Sequence, residues 1–60
     1  MKRAKFRIAR SSDRQWYFVL VAPNGEPIAT SEMYRSPAAC RKGIRAMRLN
    51  APIARLEDRT

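Results

Sequence analysis

Hydrophobic and polar residues alternate along Lys5–Arg10, with Phe6 and Ile8 on one side and Lys5 and Arg7 on the other. Period two marks a strand with two distinct faces. The polar stretch Ser11-Ser12-Asp13-Arg14 is turn-prone and connects this strand to the next. Trp16–Ala22 is apolar throughout and rich in aromatic and β-branched residues, which predicts a strand that either lies centrally or has both faces covered. Trp16, Phe18 and Leu20 share the face of Phe6 and Ile8, and Tyr17, Val19 and Val21 take the other. Asn24-Gly25 tolerates the positive φ angles of a type I′ hairpin turn. The third strand, Pro27–Thr30, then places Ile28 on the Trp16 face and Ala29 and Ser31 on the Tyr17 face.

The chain leaves the sheet over Ser31–Arg35 and enters a helix at Ser36-Pro37. Serine caps free amides, and proline fits the first helical position. The helix runs to about Leu49, with an apolar stripe of Cys40, Ile44, Met47 and Ala51 at spacings of four, three and four. Gly43 beside that stripe costs about 1 kcal/mol relative to alanine, which close approach to the sheet would justify. Asn50-Ala51-Pro52 ends the helix, asparagine tolerating a left-handed cap and proline being unable to continue. Leu49 falls on the polar face, so either the last turn unwinds or something covers it. Ile53–Asp58 forms a short fourth strand with Ala54 and Leu56 inward. The fold class is α+β: a β-β-β-α-β unit with an antiparallel sheet and one helix packed on one face.

A chain of 60 residues is a single domain, and it buries only about 60% of its unfolded surface. Domains of this size lean on disulfides, metals or a partner subunit. One cysteine, Cys40, cannot form an internal disulfide, and with no histidine there is no zinc ligand set. Self-association is the remaining stabiliser. The first residues lead into no apolar run of signal-peptide length, nothing approaches a membrane span, and a lone thiol suits a reducing interior, so the expected location is cytoplasmic.

Catalytic chemistry finds little support. General acid–base catalysis draws on histidine or paired carboxylates, and the five acids Asp13, Glu26, Glu32, Glu57 and Asp58 fall in turns and near the chain end. Cys40 lies on the apolar stripe and reads as a small buried hydrophobe, without the base and exposed electropositive setting of a nucleophile. The expectation is a protein that is not an enzyme, with no metal, no cofactor, no membrane association and no small-molecule substrate.

The words Gln15-Trp16, Asn24-Gly25-Glu26, Ile28-Ala29-Thr30-Ser31-Glu32, Tyr34, Gly43-Ile44 and Asn50-Ala51-Pro52, in this order and spacing, resemble the YegP-like family. These are small bacterial proteins of uncharacterised function, also described as a domain of unknown function. The resemblance runs from about Phe6 to Asp58. It implies that two β3-α-β units, in tandem or from two chains, build one continuous sheet and exchange their final strands. A chain with one unit is then a homodimer with swapped C-terminal strands, in which the partner stabilises Ile53–Asp58 and covers Leu49. Arg14 departs from the glycine common in the family's first turn, and Arg55 and Glu57 depart in the last strand. Tyr17, Val19 and Val21 make apolar a face that the family commonly charges. The resemblance carries no activity.

The net charge of +8 favours polyanionic partners. Two surfaces are candidates for nucleic-acid binding. Arg41, Arg45 and Arg48 form one stripe on the helix at i, i+4 and i+7, and arginine's planar fork suits phosphate oxygens. The ordinary alternative is a solvated face, with Arg45 and Arg48 set favourably against the helix's negative end. On the open sheet face Lys5 and Arg7 flank Tyr17, Val19 and Val21, a cation–aromatic arrangement able to hold single strands. Trp16, aligned with Phe18 and Leu20, reads as core. The expected function is a small basic homodimeric module that binds nucleic acid through its phosphates. The alternative is a protein–protein interaction module using the apolar second sheet face.

Overall fold

In the computed structural model, which describes residues 2–60, three antiparallel strands precede one helix. They are β1 (Lys5–Arg10), β2 (Trp16–Val21), β3 (Pro27–Thr30) and α1 (Pro37–Asn50). The strands lie in the order β1-β2-β3, a simple meander with the apolar β2 at the centre. Phe6 pairs with Leu20, Ile8 with Phe18 and Arg10 with Trp16, so these six side chains share one face. Lys5–Val21, Arg7–Val19 and Ala9–Tyr17 form the opposite face. The alternation of β1 and the two apolar faces of β2 are thus as their sequence predicts.

Both hairpin turns have one architecture. The Ser11 amide donates to the Gln15 carbonyl at 2.8 Å, and the Arg14 amide donates to the Ser11 carbonyl at 3.2 Å. Eleven residues on, the Ala22 amide donates to the Glu26 carbonyl at 2.8 Å, and the Gly25 amide to the Ala22 carbonyl at 2.9 Å. In each turn the third loop residue is left-handed, Arg14 at φ 66° and Gly25 at φ 89°. This is the three-residue hairpin loop closed by a left-handed bulge residue. The expected type I′ turn at Asn24-Gly25 is therefore corrected. That turn needs positive φ at two successive residues, and Asn24 does not have it. Pro23, with φ held near about −65°, opens the loop instead.

The third strand pairs one residue away from expectation. Val19 faces Thr30, Leu20 faces Ala29 and Val21 faces Pro27, which leaves Ile28 as an extra residue in a bulge. Ala29 therefore joins the Leu20 face and Thr30 the Val19 face, while Ile28 stands 60% exposed. Nor does the chain leave the sheet edge after Thr30. The Ser31 hydroxyl accepts from the Phe18 amide at 2.8 Å, and Tyr34 exchanges backbone bonds of 2.7 and 2.8 Å with Trp16.

Helix α1 begins as Ser36-Pro37 predicts. Ser36 is extended, and its hydroxyl accepts from the Ala39 amide at 3.1 Å. Cys40 is fully buried, with Ile44 and Met47 half-buried behind it. Ala51, assigned to the same stripe by spacing, is exposed, because the helix tightens into a 3-10 turn over Ala51–Ile53. Pro52 has no amide to continue the α-helical pattern. Asn50 keeps right-handed dihedrals and spends its side-chain amide on the Ala46 carbonyl at 2.7 Å, so the expected left-handed cap does not form.

The core is thin. Phe18, Val21 and Cys40 are the buried apolar residues among those described, and full burial of a side chain like Phe18 stabilises by about 1.5–3 kcal/mol. Phe18 meets Phe6 edge-on at 5.7 Å and stacks on Tyr34 at 6.2 Å. Tyr34 in turn lies against Gly43 of α1. The close approach that justifies the helical glycine is to the Tyr34 ring at the sheet margin, not to the strands themselves.

The predicted fourth strand is not formed within the chain. Ile53 closes the 3-10 turn, and residues 54–60 are exposed and pair with no strand. Leu56, expected to point inward, is 95% exposed, and Ala54 is exposed as well. One bulky apolar residue in such a segment does not offset the cost of ordering it, about 1–2 kcal/mol per residue. The Cα radius of gyration is 12.9 Å, against about 10 Å for a compact chain of this length, as expected of a small body with a projecting tail. No helix of the described residues is long and apolar enough to cross a membrane.

Candidate nucleic-acid interface

The six predicted binding residues separate into two groups on opposite sides of the sheet. The helix covers the face of Phe18, since Phe18, Tyr34 and Gly43 stack in that order. Arg41, Arg45 and Arg48 are exposed on the outer surface of α1. Lys5, Arg7 and Tyr17 lie together on the uncovered face of β1 and β2, through the pairs Lys5–Val21, Arg7–Val19 and Ala9–Tyr17. Lys5 and Arg7 are exposed, and Tyr17 is half-buried beside the small Ala9.

The predicted binding cations Lys5, Arg7, Arg41, Arg45 and Arg48 form no ion pair among the described residues. The one ion pair there is Arg59–Glu57 at 3.8 Å, in the exposed tail. The acids are occupied or remote. Asp13 accepts from the Ser11 hydroxyl, and that bond holds its carboxyl below the usual range. Asp58 accepts from the Thr60 hydroxyl at 2.6 Å, which lowers its pKa in the same way. No three His, Cys, Asp or Glu side chains converge among the described residues. Cys40 is buried, and burial pushes its thiol pKa up against the opposing pull of the Arg41 charge. That is the reverse of an activated nucleophile.

The open face carries a shallow depression of about 750 Å³ lined by Arg7, Tyr17, Val19, Thr30 and Met33 among others. Val21 also lines it, yet is 1% exposed, already covered within the chain. Three further cations, Arg10, Lys2 and Arg3, are not singled out by composition or spacing. The Arg10 guanidinium lies 5.2 Å from the centre of the Trp16 ring, a cation–π pair. The alternation of β1 holds the signal for it, since Arg10 is in phase with Phe6 and Ile8. Lys2 and Arg3 join Lys5 around the β2–β3 turn, a placement that only the hairpin length reveals.

Comparison with known proteins bears on the whole unit. The model of a family described as a domain of unknown function, DUF1508, matches residues 11–58. The UPF0339 protein YegP of Escherichia coli (strain K12) is 51% identical over 47 residues, which are 78% of this chain and 43% of that protein. A UPF0339 protein of Treponema denticola is 46% identical over 50 residues, covering 83% of this chain and 86% of its own. The chain spans less than half the length of the YegP proteins it matches. The NMR solution structure of a protein from Haloferax volcanii superposes with a TM-score of 0.86 at 29% identity, over 97% of this chain and 98% of the other.

Proposed function

The chain belongs to the DUF1508 family of unknown function, and we propose that within it this unit is a non-enzymatic homodimer that binds nucleic acid through phosphate contacts. The observation that carries the reading is the set of unpaired, exposed arginines Arg41, Arg45 and Arg48 on the outer surface of α1. Spacing of i, i+4 and i+7 keeps them on one side of the helix. Two copies present the stripe twice. Arginine forks engage phosphate oxygens in pairs, and such contacts set affinity and orientation with little sequence readout.

Dimerisation by exchange of C-terminal strands is supported by what this chain leaves uncovered. Leu49, Ile53 and Leu56 are 69, 80 and 95% exposed in a row along the end of α1 and the tail. The outer edges of β1 and β3 have no partner among the described residues, and an unpaired edge accepts a strand from a second chain. The YegP relatives extend well beyond the 47 matched residues, which are 43% of their length, and have room for a second unit in the same polypeptide.

The protein-contact alternative draws on Met33, 49% exposed at the open face, and the half-buried Val19. Val21, which it also requires, is already covered, and this favours nucleic acid.

Replacing Arg41, Arg45 and Arg48 together by glutamine tests the helix stripe. The variant should bind a fluorescent duplex at least tenfold more weakly at physiological salt. Its log–log salt slope should be shallower by about 3. Unchanged affinity and slope would remove the stripe from the interface.

A further inference from the structure

The depression on the open face, which Arg7 lines, has a neighbour on the Lys5 side. A second cleft of about 300 Å³ lies between the N-terminal arm and the β2–β3 turn, lined by Lys2, Arg3, Lys5, Pro23, Asn24 and Gly25. Gly25 lines both hollows, and Lys5 and Arg7 stand on the same face of β1. The two hollows thus adjoin at Gly25 and lie end to end beside β1, a six-residue strand about 20 Å long, and are treated together as one groove.

The groove is chemically lopsided. Its β1 side is cationic, with Lys5 and Arg7 continued by Lys2 and Arg3. Its centre is apolar or aromatic, with Val19 and Tyr17 on β2. Its far side is uncharged, with Pro27 and Thr30 on β3. Across the sheet a single row reads Arg7, Val19, Thr30. A duplex offers phosphates on its outside and hides its base faces in the stack, so it has no use for an apolar floor. A single strand offers phosphates along one side and unstacked bases along the other, which matches this cross-section.

Resting on the nucleic-acid reading above, we propose that this groove is a site for single-stranded nucleic acid. Its backbone runs along Lys2, Arg3, Lys5 and Arg7, and a base stacks on Tyr17. The helix stripe then serves phosphates of any strand form, and the groove supplies the preference for single strands. Tyr17 has space for a base because its cross-strand neighbour is Ala9. Lys2, Arg3 and Lys5 are exposed, so they are replaceable without cost to the core.

The test is the ratio of two affinities, measured by fluorescence anisotropy at physiological salt. The probes are an oligothymidylate of about twelve nucleotides and a duplex of the same length. The wild-type chain should favour the single strand about tenfold. Changing Lys2, Arg3 and Lys5 together to glutamine should abolish that preference and flatten the single-strand salt slope by about 2. Tyr17→Leu, which keeps an apolar side chain, should lower single-strand affinity about tenfold and leave the duplex unchanged. The helix triple variant should weaken both probes alike and keep the ratio. A cleft variant that retains the wild-type ratio, or a wild type without single-strand preference, overturns the groove while leaving the helix stripe standing. A wild type that binds neither probe overturns the nucleic-acid reading and the groove with it.

Discussion

Tyr34 and Gly43 compete for one volume. A β-carbon built on Gly43 would lie 2.7 Å from Cζ of the Tyr34 ring and 3.3 Å from Cε1, closer than such atoms approach. The glycine lets α1 settle onto a ring that also stacks on Phe18. One aromatic side chain thus joins the helix to the central strand.

Gly43→Ala therefore carries two opposed effects. Alanine favours the helix by about 1 kcal/mol, and overpacking costs about 1–3 kcal/mol. The expected outcome is a net loss of stability in urea unfolding. Tyr34→Phe removes the hydroxyl that stands nearest the added methyl group, so the double variant should recover part of the loss. Strictly additive effects would show that the two residues do not share this space.

Arg14 does in the first turn what Gly25 does in the second. A left-handed φ costs a side-chain-bearing residue about 1–2 kcal/mol. Arg14→Gly should raise the melting temperature by roughly 4–8 °C, the shift that about 1 kcal/mol gives a domain of this size. Gly25→Ala should lower it by a similar amount. Circular dichroism melts of both variants decide the matter.

Cys40 makes a prediction with a pH sign. Burial raises its thiol pKa in the folded state, so folding favours the neutral thiol. Its contribution to stability is complete below the ordinary thiol range and is lost as pH rises through the raised value. A thiol-reactive disulfide reagent should react slowly with the native protein at mildly alkaline pH and rapidly in denaturant. Equal rates in both would mean that the side chain is not buried as described.

The tail carries the dimer prediction. Deleting Ile53–Thr60 removes the segment that is wholly exposed in one chain, so an isolated unit would lose little by it. In the exchanged dimer the same deletion should abolish dimerisation in light scattering and lower stability sharply. A truncated chain that stays folded as a stable monomer, while the full chain is a monomer too, would refute the exchange.

Much of the architecture is readable in the residues. The alternation of Lys5–Arg10, the two-faced run from Trp16 and the Ser36-Pro37 opening each appear where the pattern puts them. The turn between β2 and β3 is less legible, because Pro23 competes with Asn24-Gly25 in setting its type. The resulting three-residue loop and the bulge at Ile28 shift the third strand by one residue, and periodicity within four residues is too short to show such a shift. The fate of Ile53–Asp58 is not a property of one chain's pattern, since nothing in its own sheet lies beside it. At the candidate interface, Lys5, Arg7 and Tyr17 share a face as alternation requires. Lys2 and Arg3 reach it only through the length of the β2–β3 hairpin.

The most direct test of the account is an anisotropy titration of the full chain with short single- and double-stranded DNA and RNA across a salt series. Phosphate recognition by the exposed arginines and lysines predicts micromolar or tighter binding at physiological salt, with a steep linear fall of log affinity against log salt. Binding confined to low salt would contradict it and reduce the charge of +8 to a generic property of the surface.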